Sequence, residues 1–146
     1  MSHWLYKNKV LNEAPKDYFG FVYLITNIKS GKKYIGRKYF GTTRRVKVAG
    51  KKRRKVVRKD SNWREYTGSS KQLNSDILKL GKKNFKFEIL IMGETKGQVN
   101  YLEENIHHRC HVSVKDEFYN DCIGPRRFAK VKFSKKTEKQ INELKF

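Results

Sequence analysis

The sequence is short of acids, of cysteines and of long apolar runs, and each shortage closes off a class of explanation. Its 14 aspartates and glutamates stand against 35 lysines and arginines, a net charge of +21 over 146 residues. A solvated surface needs charge, but not this much of one sign. Such an excess repels itself and attracts polyanions, nucleic acid foremost. No apolar stretch approaches the roughly 20 residues that a membrane-spanning helix requires, so no membrane partner is expected. The opening MSHWLYKNKVL has neither the apolar core nor the small-residue cleavage site of a secretory signal. The only two cysteines, Cys110 and Cys122, are therefore expected as reduced thiols in a cytoplasm. With an apolar share of 37% the core must be economical, and the length suits one compact domain.

What is present divides the chain into an arm over 1–18 (irregular or a short helix), a domain over 19–121 and a basic extension over 122–146. FGFVYLIT (19–26) and KYIGRKYF (33–40) are β-prone, and the turn chemistry of NIKSGK between them predicts a hairpin. Residues 41–62 then change character. From Arg44 to Lys59 there are ten lysines and arginines and no acid, read as a basic loop or hairpin inserted in the domain. A helix is predicted over Ser69–Gly81, with Ser69 and Gln72 as a capping box, Leu73, Ile77 and Leu80 as its apolar stripe and Gly81 as its stop. A third strand follows over 85–92, with Phe85, Phe87, Ile89 and Ile91 on one face. A second helix runs from Lys96 to about His111, its buried arc set by Val99, Leu102, Ile106 and Cys110. Residues 118–133 read as irregular, and the end of the chain as a short amphipathic helix.

Two tyrosines stand out. Gly20-Phe21-Val22-Tyr23 is followed, after ten residues, by Tyr34-Ile35-Gly36, so paired strands can project Tyr23 and Tyr34 from one face. Tyrosines are also common packing residues in strands. In these residues the chain resembles the GIY-YIG nuclease family: Phe21-Val22-Tyr23 stands where the family has Gly-Ile-Tyr, and Tyr34-Ile35-Gly36 matches the second motif. The resemblance covers roughly 19–121. It continues through helix 69–81, strand 85–92, a glutamate-bearing helix and Asn120 in Phe-Tyr-Asn. The segment from Trp63 to Ser70, Trp-x-x-Tyr-x-Gly-Ser-Ser, is similar to segments of phage and intron-encoded endonucleases. The fold so implied is α+β, a small three-stranded antiparallel sheet flanked by helices, here with a basic insertion.

The resemblance implies hydrolysis of DNA phosphodiester bonds with one divalent ion per site, Mg2+ or Mn2+, held by a glutamate. The ion would stabilise the charge of the pentavalent state. A tyrosine would help deprotonate the attacking water, though with a reference pKa of about 10 it needs cations nearby to do so. Of the two candidates, Glu103 borders the buried arc of its helix and Glu104 points away, so Glu103 is the expected ligand and Glu104 its rival. Water and phosphate would fill the rest of the shell, as magnesium prefers. For the phosphate-binding arginine Arg44 is favoured, with Arg37 and Arg45 as rivals. Tyr66 stands for the family's histidine or second tyrosine, and Asn120 would position the helix or the phosphate. His107 lies about 40° from Glu103 on the helical wheel and is a rival for a place in the site. Together with His111 it also admits a zinc reading, for which the spacing of a structural finger is missing.

DNA contacts are expected from Lys38, Arg45, Lys51, Lys52, Arg53, Arg54, Lys55, Arg58, Arg64, Arg126 and Arg127. These would contribute salt-dependent affinity rather than sequence choice. The expected enzyme is homing-endonuclease-like or nicking, a monomer or transient dimer acting in the cytoplasm, that of a bacterial host if phage-encoded. The alternatives are a non-catalytic nucleic-acid binder on the same scaffold and a basic RNA-binding protein.

Overall fold

Alternating apolar and aromatic residues make three long strands, β3 (Gly20–Asn27), β4 (Lys33–Tyr39) and β7 (Phe85–Gly93), in a computed structural model that describes residues 1–123, 126–127 and 134–144. All three pair antiparallel, with β3 in the middle; Tyr23 lies opposite Gly36, and Ile25 opposite Tyr34. The class is α+β. The sheet is larger than expected, however. Two short N-terminal strands, β1 (Leu5–Tyr6) and β2 (Lys9–Val10), extend it to five in the order β2-β1-β7-β3-β4, with β1 parallel to β7. Strand β4 is left as one edge.

The N-terminal residues expected as an arm enter the core. Trp4 is 0% exposed, its Nε1 donates to the Trp63 carbonyl at 2.6 Å, and its ring lies 4.8 Å from that of Tyr23. One indole in a short polar stretch carries no periodicity, so the sequence pattern does not show that it is buried. Trp4→Ala opens a cavity beneath Tyr23, and we expect it to lower stability by about 3–5 kcal/mol. Urea unfolding at an unchanged m-value checks this.

Each face of the sheet carries a helix. Phe21, Tyr23 and Ile25 face Leu73 of α1 (Lys71–Leu80), together with Trp63, Phe85 and Phe87. Val22, Leu24 and Ile35 face Leu102 and Ile106 of α2 (Lys96–Arg109). A β-bulge changes one expectation. The β3–β7 register shifts between Val22 and Tyr23, so Ile91 turns outward at 38% exposure and Met92 takes its place in the core. Before the bulge Phe85, Phe87 and Ile89 are buried together as expected.

Helix α1 starts one residue later than the predicted capping box. Ser70, not Ser69, is the N-cap, its hydroxyl accepting from the Leu73 N–H, while Gly81 ends the helix at φ +86°. Thr95 caps α2 in the same manner. That helix ends at Arg109, and His111 lies beyond it in the left-handed region at φ +52°. His107 and His111 therefore do not form a helical i,i+4 chelate.

The basic insertion forms a separate two-stranded ribbon, β5 (Gly41–Val46) with β6 (Lys55–Asp60). Toward the C-terminus, β8 (Cys122–Ile123) pairs with β9 (Arg126–Arg127), and α3 (Lys135–Glu143) is capped by Ser134. The side chains of Arg126 and Arg127 lie outside the described part. Among the described residues no helix is long and apolar enough to cross a membrane.

Candidate active site

The edge strand β4 is where the candidate residues meet. Its even positions, Tyr34, Gly36 and Lys38, share the α1 face with Tyr23; its odd positions, Ile35, Arg37 and Tyr39, share the α2 face. A cleft of about 650 Å³ runs along this edge, lined by Tyr34, Arg37, Ser69, Glu103, His107 and Asn120 among others.

Ile35 is the fixed point of the edge. Its N–H donates to Asn120 Oδ1 at 3.0 Å, and its carbonyl accepts from Asn120 Nδ2 at 2.7 Å and from His107 Nε2 at 2.8 Å. The Asn120 amide thus replaces a neighbouring peptide, and the ring of His107 fastens α2 to β4. Both residues line the cleft but spend these polar atoms on the backbone. Because the carbonyl can only accept, His107 carries its proton on Nε2, leaving buried Nδ1 without a partner among the described residues.

The glycines of the two motifs make room for the phenols. A Cβ on Gly36 would fall 2.6 Å from Tyr23 Cζ and 3.0 Å from Tyr34 Cε1. Gly68, at φ +84°, would place one 3.0 Å from Tyr34 Cε1. Any side chain at either position would push the tyrosines apart. Every marked residue of the Trp63-to-Ser70 segment then has a physical role. Trp63 is buried in the core, Tyr66 meets the ring of Tyr23 edge-on at 6.2 Å, and Gly68 turns beneath the tyrosines. Ser69, released from capping, pairs with the Tyr34 hydroxyl at 3.1 Å.

The two tyrosines differ in access. Tyr23 is 1% exposed and lies behind the cleft, whereas Tyr34 lines it. Burial pushes the Tyr23 phenol well above its ordinary pKa, and Tyr34, Tyr66 and Glu103 add to the shift. Burial also raises Tyr34; the Ser69 hydroxyl pulls the other way, and Tyr66 and Glu103 reinforce the rise. Neither is a phenolate at neutral pH.

Glu103 is 7% exposed and ion-paired with Arg37, while Glu104 is exposed. Burial works against the Arg37 charge, but Glu103 and a hydrogen bond to Tyr39 outweigh it and raise its pKa. Arg37 Nε donates to the Tyr39 hydroxyl at 3.2 Å, and that hydroxyl donates in turn to Asn100 Oδ1. Tyr39 and Asn100 were not singled out in the sequence. Two periodicities could have found them, since Tyr39 follows Arg37 by two in a strand and Asn100 precedes Glu103 by three in a helix.

Arg44 and Arg45 do not line the cleft. They sit exposed on the ribbon, opposite Val57 and Val56. The long insertion carries them away, and the arginine that the fold leaves beside Glu103 is Arg37. Among the expected DNA contacts, Arg45, Lys51, Lys52, Arg53, Arg54, Lys55 and Arg58 are exposed on the ribbon and its tip. Lys38 and Arg64 are engaged in structure. Lys38 Nζ lies 4.1 Å from the centre of the Tyr66 ring and donates to Asn62, and burial lowers its pKa. Arg64 pairs with Asp60 at 3.2 Å and lies over the Trp63 ring.

The donor set bears on a metal. Among the described residues no group of three or more histidines, cysteines or carboxylates gathers as a ready-made cage. The cleft wall carries Glu103 and Asp121, and so sparse a carboxylate set suits an ion that keeps water and takes phosphate as its remaining ligands. A zinc-type set of closed side-chain ligands would not fit here.

No curated protein and no solved structure matches the chain. A family model described as "Putative endonuclease segE, GIY-YIG domain" matches residues 4–123, which takes in Trp4, both tyrosines, the ribbon, Glu103 and Asn120. The chain belongs to the GIY-YIG endonuclease family.

Proposed function

We propose that this chain is a divalent-metal-dependent DNA endonuclease working at the open edge of β4. The observation that carries the reading is a buried carboxylate, Glu103, set with Arg37 and Tyr34 on the wall of one cleft beside a strongly basic ribbon. Family membership supplies the class of enzyme, and the geometry suggests the roles.

In this reading Glu103 would hold the ion, Mg2+ or Mn2+, which would supply positive charge to stabilise the pentavalent phosphate. Arg37 leaves the carboxylate for a phosphate oxygen as DNA enters, adding a cationic donor where charge develops. Tyr34, oriented by Ser69, is the hydrogen-bond partner of the attacking water and takes its proton only once cationic charge lowers its pKa. One P–O bond forms from water and one ester bond breaks; the proton lost by the water goes to Tyr34, and the leaving oxygen takes a proton from solvent. Tyr23 and Tyr66 support Tyr34 from behind, and His107 and Asn120 hold β4 in place.

One cleft per chain cuts one strand, so a nick is the elementary product and a double-strand break requires a second copy or a second visit. Supercoiled plasmid incubated with Mg2+ or Mn2+ tests the reading. Conversion to open circle first and linear later, stopped by EDTA, is the expected course. Tight, salt-sensitive binding of DNA with no cleavage under either ion would favour the non-catalytic binder. Preference for structured RNA would favour the RNA-binding alternative.

A further inference from the structure

The β5–β6 ribbon carries cations on both faces. Residues paired across the strands share a face, so Arg44 with Val57, Thr42 with Lys59 and Val46 with Lys55 present Arg44, Lys55 and Lys59 on one side. Thr43 with Arg58 and Arg45 with Val56 present Arg45 and Arg58 on the other. All five cations are exposed, and the ribbon is a sheet of its own. A flat polyanionic surface would meet only one face. A groove with two phosphate walls meets both.

The ribbon is also firmly rooted. Phe40 and Trp63, on either side of it, are buried and pack edge to face with ring centres 5.0 Å apart. The Ser61 N–H donates to the Phe40 carbonyl, and the Ser61 hydroxyl to that of Tyr39. A Cβ on Gly41 would fall 2.6 Å from Arg58 Nε, so the first pair closes tightly, and Arg58 lies over the Phe19 ring. Arg37 lines both the cleft and a small hollow at this root, beside Tyr39, Gly41 and Thr42.

We propose that the β5–β6 ribbon stands in the major groove of duplex DNA with one cationic face toward each backbone, anchoring the duplex to one side of the bond that is cut. The proposal rests on the endonuclease reading for its choice of DNA. A two-stranded ribbon with its side chains is about 10 Å thick, which suits a major groove about 12 Å wide and exceeds a minor groove of about 6 Å. The deep, narrow major groove of duplex RNA would not admit it. Six paired residues reach about 20 Å from Gly41, or about six base pairs at 3.4 Å each.

The test is binding of the full chain in EDTA, where nothing is cut, to a 30-base-pair duplex of mixed sequence and to its RNA counterpart. Three variants are compared with the parent: Arg44→Gln with Lys55→Gln and Lys59→Gln; Arg45→Gln with Arg58→Gln; and a chain in which Asn-Gly replaces residues 44–57. Unchanged far-ultraviolet circular dichroism and melting, apart from the lost ribbon signal, show that each is folded. Each face set should lower the salt slope of log K by roughly two to three. The parent should prefer DNA to RNA by at least tenfold and be displaced by methyl green, which occupies the major groove, but not by the minor-groove ligand distamycin. The shortened chain should lose the preference and the displacement. A silent face set, equal binding of RNA, or displacement by distamycin instead would overturn the inference. None of these outcomes touches the endonuclease reading, which fails separately if plasmid is never cleaved.

Discussion

Replacing Glu103 with glutamine is expected to lower metal-dependent plasmid cleavage by about 10³-fold or more while leaving DNA affinity in EDTA within about twofold. The change keeps the shape of the side chain and its capacity to accept from Arg37, but removes the negative charge that pairs with Arg37 on the cleft wall. Losing several kcal/mol of transition-state stabilisation accounts for the size, at about 1.4 kcal/mol per tenfold. Glu104→Gln, on the exposed side of the same helix, should change cleavage by less than about twofold. Cleavage surviving Glu103→Gln would remove Glu103 from the metal site. Cleavage lost through Glu104→Gln instead would reverse the assignment.

Arg37→Gln should have two effects of opposite direction. Cleavage should fall by about 10²–10³-fold, the usual loss when one donor to a developing oxyanion is removed. Metal binding to the DNA-free protein should instead become tighter, because a guanidinium now occupies the carboxylate that the ion would use. The gain is about fivefold, the order of an ion pair half open to water. Electron paramagnetic resonance of free Mn2+ reads this directly, without reference to activity. DNA should raise the Mn2+ affinity of the parent protein by drawing Arg37 onto phosphate, and reciprocally Mn2+ should raise its DNA affinity. The variant should lose that coupling. Equal Mn2+ affinity in parent and variant would show that Arg37 does not compete for the site. These two results together separate a residue that holds Glu103 in place from one that acts on the phosphate.

The order of elements was legible because each rests on local chemistry. Period-2 patterns mark β3, β4 and β7; a turn rich in Asn, Ser and Gly joins the hairpin; and Gly81 ends α1 by taking a positive φ. Helix geometry likewise separates Glu103 from Glu104, since the residue at the margin of a packed stripe is the one that can reach across to the sheet. What was not legible depends on residues far apart in the chain. Trp4 looks like part of a polar arm until Trp63 and Tyr23 surround it. The bulge that exchanges Ile91 for Met92 is set by pairing with β3, not by the pattern within β7. Either serine before α1 could have capped it, and Tyr34 engages Ser69 while Ser70 caps the helix.

By itself, then, the sequence pointed to a polyanionic partner and determined the three main strands and two helices, and the two tyrosines on one face, because composition and periodicity act over a few residues at a time. The tertiary structure decided which arginine stands beside the glutamate. Spacing along the chain favoured Arg44, but a ribbon that pairs with itself carries Arg44 outward. The alternation of β4 turns Arg37 toward α2, where Glu103 is waiting. A through-space ion pair between residues so distant in sequence has no local signature, and only folding brings its two charges together.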